Sequence, residues 1–142
     1  MATLNAVEEH VARAENLPEV LDAAYEAFEA MLAVIRQHDK PSNPLFVPMV
    51  LAAGSTANGR DNVLFAPSLP PRPLHRDVRA EESAQPVAAH AAAVWLSRLS
   101  AALASRLTEA AGLADLPGDQ GACSEAANCA WEIWTMMGGD RS

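Results

Sequence analysis

The sequence predicts an all-α protein, a bundle of four or five helices crossed by a proline-rich extended segment at about residues 60–75. Alanine supplies 30 of the 142 residues, and alanine-rich stretches favour helix. β-branched residues are few and only seven residues are aromatic, a composition that argues against an all-β fold. The length fits a single helical domain, residues 1–142, with enough chain to bury a hydrophobic core.

The first two helices are predicted from capping patterns at their starts. Asn5 and Glu8 form a capping-box pattern for a short helix that ends near Glu15. Asn16 and Glu19 repeat the pattern for a second helix that reaches about residue 38. On this helix, apolar residues recur at the spacing of a core-facing stripe: Leu21, Ala24, Phe28, Met31, Leu32 and Ile35. Its acidic side has no glutamate followed by histidine three residues later, which favours a solvated face over a metal site.

The composition changes at Asp39, because seven of the ten prolines lie between residues 41 and 73. A third helix is predicted over residues 45–57, ended by the Asn58-Gly59 pair. The residues from Arg60 to Pro73 then read as extended or polyproline-like. Four apolar side chains make this segment too apolar for a free linker, so we expect them to dock on the helices or on a second subunit: Val63, Leu64, Phe65 and Leu69.

Two longer helices are predicted in the second half of the chain. The first begins at Ser83 or Ala84 and ends near Ala111, and its buried seam comprises Ala92, Leu96, Leu99, Leu103, Leu107 and Ala110. A short connection after Gly112 leads to a last helix over residues 119–137, so the two helices should pack as an antiparallel pair. The last helix is apolar on almost three sides, which indicates burial by several neighbours or by a partner chain.

Charge and cysteine content restrict the classes of function. Ten basic and eighteen acidic residues give a net charge of −8, which argues against a nucleic-acid binder. Cys123 and Cys129 lie on different faces of one predicted helix, too far apart for a disulfide, and we expect buried thiols in a reducing compartment. No apolar run is long enough for a membrane span or a leader peptide. We therefore expect a cytoplasmic protein with no cofactor, no bound metal and no membrane association.

One local cluster reverses the overall charge, and it has two interpretations. It comprises Arg60, Arg72, His75, Arg76 and Arg79. These side chains could bind an acidic protein or a small anionic ligand, because guanidinium groups pair with carboxylates and phosphates. They could equally pair with the protein's own acidic flanks. The interleaved Asp61 and Asp77 weaken the cluster as a nucleic-acid patch.

The three tryptophans also allow two interpretations. Trp131 and Trp134 are neighbours on the last helix, and with Trp95 they could form an aromatic ligand pocket or simply pack in a core or dimer interface. The sequence contains no serine elbow, phosphate loop, Rossmann glycine pattern or HExxH motif, so no catalytic residue can be named. The favoured hypothesis is a non-enzymatic, homodimeric interaction protein. The alternative is a ligand-binding or catalytic bundle with a tryptophan-lined pocket and Arg/His anchors.

Overall fold

The computed structural model describes residues 2–71 and 87–138, with side chains from residue 5 onward. This part of the chain is entirely helical and contains no strand. Its five helices are α1 (Ala2–Arg13), α2 (Leu17–Arg36), α3 (Phe46–Leu64), α4 (Ala89–Leu113) and α5 (Pro117–Met136). The predicted all-α class is therefore confirmed.

Four of the helices pack side by side in a closed order, and the fifth, α1, lies outside them. α2 packs on α3, α3 on α5, α5 on α4, and α4 closes the ring on α2, while α1 lies against both α2 and α4. The most extensive packing is between α4 and α5, which follow each other through a three-residue connection. Such a short connection between two packed helices makes them an antiparallel pair. The predicted helical bundle is confirmed by this arrangement.

α2 begins where the capping pattern places it. The Asn16 side chain accepts a hydrogen bond from the Glu19 N–H at 3.0 Å, and the Glu19 carboxylate accepts one from the Glu15 N–H at 2.9 Å. The first bond satisfies a backbone donor that the first helical turn leaves without a partner, and the second fixes the residue just before the N-cap. All six residues of the predicted stripe are buried, and the core extends around α2 to the buried side chain of Glu29.

α3 is longer than predicted, because it continues through Asn58-Gly59 to Leu64. Gly59 does not stop the helix. A Cβ atom at this position would lie 2.4 Å from Cε1 of Phe28 in α2, so glycine allows the two helices to approach closely. The prediction of an extended backbone is consequently wrong for Arg60 through Leu64.

The segment after α3 is held by the first turn of α5. The backbone N–H and hydroxyl of Ser68 donate to the two carboxylate oxygens of Asp119 at 3.0 Å and 2.6 Å. Leu69 packs partly buried against the core, as expected. Phe65 does not dock on the chain's own helices, because 82% of its surface is exposed. The part of the predicted crossing segment beyond residue 71 lies outside the described residues.

α4 begins at Ala89, later than predicted, and Val87 just before it is not helical. The Val87 N–H donates to the Gln37 side chain at 2.9 Å, and its carbonyl accepts from Nε2 of His38 at 2.7 Å. Both backbone groups of Val87 are thus held by the end of α2. The six residues of the predicted seam on α4 are buried, and Gly112 lies within the helix instead of ending it.

None of the helices in the described part of the chain is long and apolar enough to cross a lipid bilayer.

Candidate functional site

The apolar surface of α5 is largely covered by the chain itself. α3 and α4 pack on either side of this helix. Seven of its apolar residues are buried: Ala122, Cys123, Ala126, Ala127, Cys129, Ala130 and Ile133. The last helix therefore does not carry the surplus apolar surface that would need a partner chain.

The exposed apolar surface lies on α3. Four large side chains of α3, and that of Phe65 directly after its last residue, are at least two-fifths exposed: Val47 at 62%, Val50 at 44%, Leu51 at 55%, Leu64 at 47% and Phe65 at 82%. Four smaller or polar residues complete the same side of the helix: Gly54, Ala57, Asn58 and Asp61. At 100° per residue all nine fall within an arc of about 140°. We call these nine residues the α3 face.

The opposite side of α3 is buried in the bundle. Met49, Ala52, Thr56 and Val63 are fully buried, and Gly59 contacts Phe28. The hydroxyl of Ser55 donates to Glu132 of α5 at 3.0 Å. α3 is therefore fixed on one side by the core, and its other side presents large apolar groups to solvent. A rigid helix with an exposed apolar face is typical of a protein-binding surface.

Arg60 lies at the edge of the α3 face and is already engaged within the chain. Its guanidinium is 3.2 Å from the Glu29 carboxylate of α2 and 3.3 Å from that of Asp61. Burial by itself would lower the pKa of Arg60, but the two carboxylates outweigh it and the pKa is raised. For Arg60 the structure thus shows pairing with the protein's own acids. The other predicted anchors, Arg72, His75, Arg76 and Arg79, lie outside the described residues.

Two of the three tryptophans are in ring contact. Trp131 and Trp134 meet edge to face, with ring centroids 5.4 Å apart and planes at 79°, and both are half-buried. Trp95 lies on α4 and is 5% exposed. Among the described residues no group accepts a hydrogen bond from its buried indole Nε1. A small cleft of about 70 Å³ lies between the α1–α2 connection and the end of α4, but no tryptophan lines it.

Cys123 and Cys129 are buried free thiols, as expected. Burial raises the pKa of each thiol to about 11, with smaller contributions from Asp119 for Cys123 and from Glu132 for Cys129. Because the thiolate is the reactive form, neither cysteine is suited to nucleophilic chemistry near neutral pH.

Sequence reasoning missed a cluster that joins α1 to α2. Nδ1 of His10 lies 2.8 Å from Glu26 and Nε2 lies 3.4 Å from Asp22, with all three side chains half-buried. A histidine three residues after a glutamate would lie on α2 itself, whereas the fold brings His10 of α1 to the acidic side of α2. Both ring nitrogens of His10 face carboxylates. Only one of these nitrogens could bind the same metal ion, so the cluster offers a single histidine ligand. Structural zinc sites use four protein ligands, and the cluster instead fits a set of polar contacts that holds two helices together.

His38 also has a structural role that the sequence did not reveal. The Asn43 side-chain oxygen accepts from the Leu45 N–H at 2.8 Å, which directs the Asn43 amide nitrogen to Nδ1 of His38 at 2.9 Å. Nδ1 is then the acceptor, and Nε2 carries the proton that it donates to Val87. The imidazole joins elements 49 residues apart in sequence, and no local pattern could have indicated this.

No family model, no curated protein and no solved structure matches the chain. The functional argument consequently rests on the geometry of the described residues.

Proposed function

We propose that the protein is a non-enzymatic, cytoplasmic interaction or regulatory accessory protein that acts as a homodimer through the α3 face. The exposure of five large apolar side chains, four on α3 and one on the residue that follows it, carries this proposal. Full burial of one such side chain contributes about 1.5–3 kcal/mol. Covering this face with a partner therefore offers a substantial driving force for association.

Two further observations support the proposal. Three contacts among charged and histidine side chains join helices to each other: Arg60–Glu29 links α3 to α2, His10–Glu26 links α1 to α2, and Arg98–Glu8 links α4 to α1. These are stabilising roles, in keeping with a protein that does no chemistry. The two unpaired, buried cysteines fit a reducing compartment such as the cytoplasm.

Light scattering tests the proposal with a pair of equally exposed positions. Phe65 is 82% exposed on the α3 face, and Leu113 is 83% exposed at the end of α4. We expect the wild-type protein to have twice the 15.0 kDa mass of one chain. Phe65→Glu should reduce it to one chain, because association would bury a lone charge. Leu113→Glu should remain dimeric.

Circular dichroism must show the same helix content in all three proteins. A wild-type monomer at micromolar concentration would refute the homodimer. Equal dissociation by both substitutions would remove the α3 face as the interface.

The second candidate is binding of an acidic protein or a small anion by Arg72, His75, Arg76 and Arg79, with a tryptophan-lined pocket. The buried Nε1 of Trp95, which has no acceptor among the described residues, favours a polar ligand nearby. Inorganic phosphate should then change the tryptophan fluorescence, and rising salt should weaken the effect. A variant with Arg72, Arg76 and Arg79 all replaced by glutamine should fold normally and lose the response. The same response from wild type and variant would exclude this basic cluster.

A further inference from the structure

We infer that two copies of the chain pair antiparallel along α3, about a two-fold axis that passes between residues 57 and 58. The inference rests on the proposed homodimer and specifies how its two copies meet. It is carried by the arrangement of large, small and charged residues on the α3 face.

The α3 face consists of three rows with a seven-residue spacing. The middle row is Val47, Gly54 and Asp61. One outer row is Val50, Ala57 and Leu64, and the other is Leu51, Asn58 and Phe65. Residues seven apart lie on one side of a helix, so all three rows can face the same neighbouring helix. The repeat extends from Val47 to Phe65 and so covers nearly the whole of α3.

A two-fold axis perpendicular to two antiparallel helices brings each outer row opposite its own copy. With the axis between residues 57 and 58, Val50 faces Leu64 of the second copy, and Leu51 faces Phe65 of the second copy. Ala57 and Asn58 then face their own counterparts at the centre. Large apolar side chains thus meet at both ends, and small ones at the centre allow the helices to approach.

The same register places the one carboxylate of the face against a glycine. Asp61 faces Gly54 of the second copy, and a Cβ at Gly54 would meet no atom within 4 Å in its own chain. The carboxylate therefore has room beside the partner helix while Arg60 remains paired with it. A parallel pairing would instead bring the two Asp61 carboxylates together, and like charges in contact are destabilising. Charge thus favours the antiparallel arrangement.

The acidity of the whole chain disfavours pairing through surfaces that carry more carboxylates than this face. Each chain has a net charge of −8, so a contact between two arbitrary surfaces would bring acidic groups together. A specific dimer buries roughly 1,200 Å² or more. A contact between two helices approaches this area only when it runs along most of a helix, and α3 is about 28 Å long.

Cysteine cross-linking tests the register in the full chain. Asn58→Cys should be joined efficiently to its own copy by a short thiol-specific cross-linker, because both copies of residue 58 lie near the axis. Val50→Cys should not react in this way, because its two copies would be roughly 21 Å apart along the helices. Adding Leu64→Cys to Val50→Cys should restore the cross-link. The native thiols, buried and with pKa values of about 11, provide a low background.

The outcomes separate this inference from the homodimer itself. A dimer by light scattering in which Val50→Cys alone cross-links and Asn58→Cys does not would overturn the register and leave the homodimer standing. A dimer in which neither Asn58→Cys nor the Val50/Leu64 double variant cross-links would overturn pairing through α3. A monomeric wild type would overturn both proposals.

Discussion

α3 and α5 are adjacent helices of the bundle that use their apolar residues in opposite ways. α5 is apolar on almost three sides, yet most of its apolar residues are alanine or cysteine and are buried by α3 and α4. α3 contains the weak helix formers Pro48, Gly54 and Gly59, and it leaves large apolar side chains in solvent. An apolar helix made of small residues can be covered by close neighbours. The apolar surface that a helix exposes to a partner depends on the size of its side chains and on the side of the helix from which the large ones project.

The largest expected effect contrasts a buried residue of α5 with an exposed one of α3. Ile133 is fully buried, and Leu51 is 55% exposed. Ile133→Ala should lower the free energy of unfolding by about 2–5 kcal/mol, because the lost side chain leaves a cavity. Leu51→Ala should change it by less than about 0.5 kcal/mol in a single chain. Urea denaturation in the Phe65→Glu background measures both without a contribution from association.

Helix content by circular dichroism controls for altered native structure in both variants. Similar losses for the two substitutions would show that Leu51 is covered within its own chain, and the contrast between α3 and α5 would fail.

The sequence predicted the start of α2 and the core faces of α2 and α4 well because these signals are local. A capping side chain lies within three residues of its target, and a repeating stripe identifies the core face without reference to other helices. The length of α3 was predicted wrongly because Asn58-Gly59 resembles a helix stop. In the fold Gly59 instead serves the contact with Phe28, a tertiary requirement that overrides local preference.

The candidate site was less predictable than the helices. Leu64 and Phe65 were recognised as unusually apolar for a linker, but hydrophobicity does not tell whether a side chain meets its own core or a second copy. The cluster of His10 with Asp22 and Glu26 could have been found by pairing α1 with α2. The contact of His38 with Val87 could not, because it depends on the path of a long connection.

An intermediate effect is expected for glycines that differ in their surroundings. Gly59 of α3 would place a Cβ 2.4 Å from the Phe28 ring, whereas a Cβ at Gly121 of α5 would meet nothing within 4 Å. Gly59→Ala should destabilise the protein by about 1–3 kcal/mol, because the fully buried Phe28 ring has little room to shift. Gly121→Ala should stabilise it by about 0.5–1 kcal/mol through helix propensity.

Thermal or urea denaturation measures the change in the free energy of unfolding for both variants. Opposite signs would show that the contact with Phe28, and not helix propensity, determines the effect at Gly59. If both substitutions are stabilising, α2 and α3 are less closely packed at this point, and the reason given for the length of α3 is wrong.

The smallest expected effect concerns the polar contacts that hold α3 to its two neighbours. Arg60 contacts Glu29 of α2 at 3.2 Å, and Ser55 contacts Glu132 of α5 at 3.0 Å. Double-mutant cycles with Arg60→Gln and Glu29→Gln should give a coupling energy of about 1 kcal/mol, since the pair is only partly exposed. The cycle with Ser55→Ala and Glu132→Ala should give less, because the residue Glu132 is exposed and its contact is a single hydrogen bond. Added salt should weaken the first coupling more than the second, because two ions form the first contact and one forms the second.

A coupling near zero for Arg60 and Glu29 would mean that this guanidinium is not committed to α2. Arg60 would then return, with Arg72 and Arg76, as a candidate for binding an external anion.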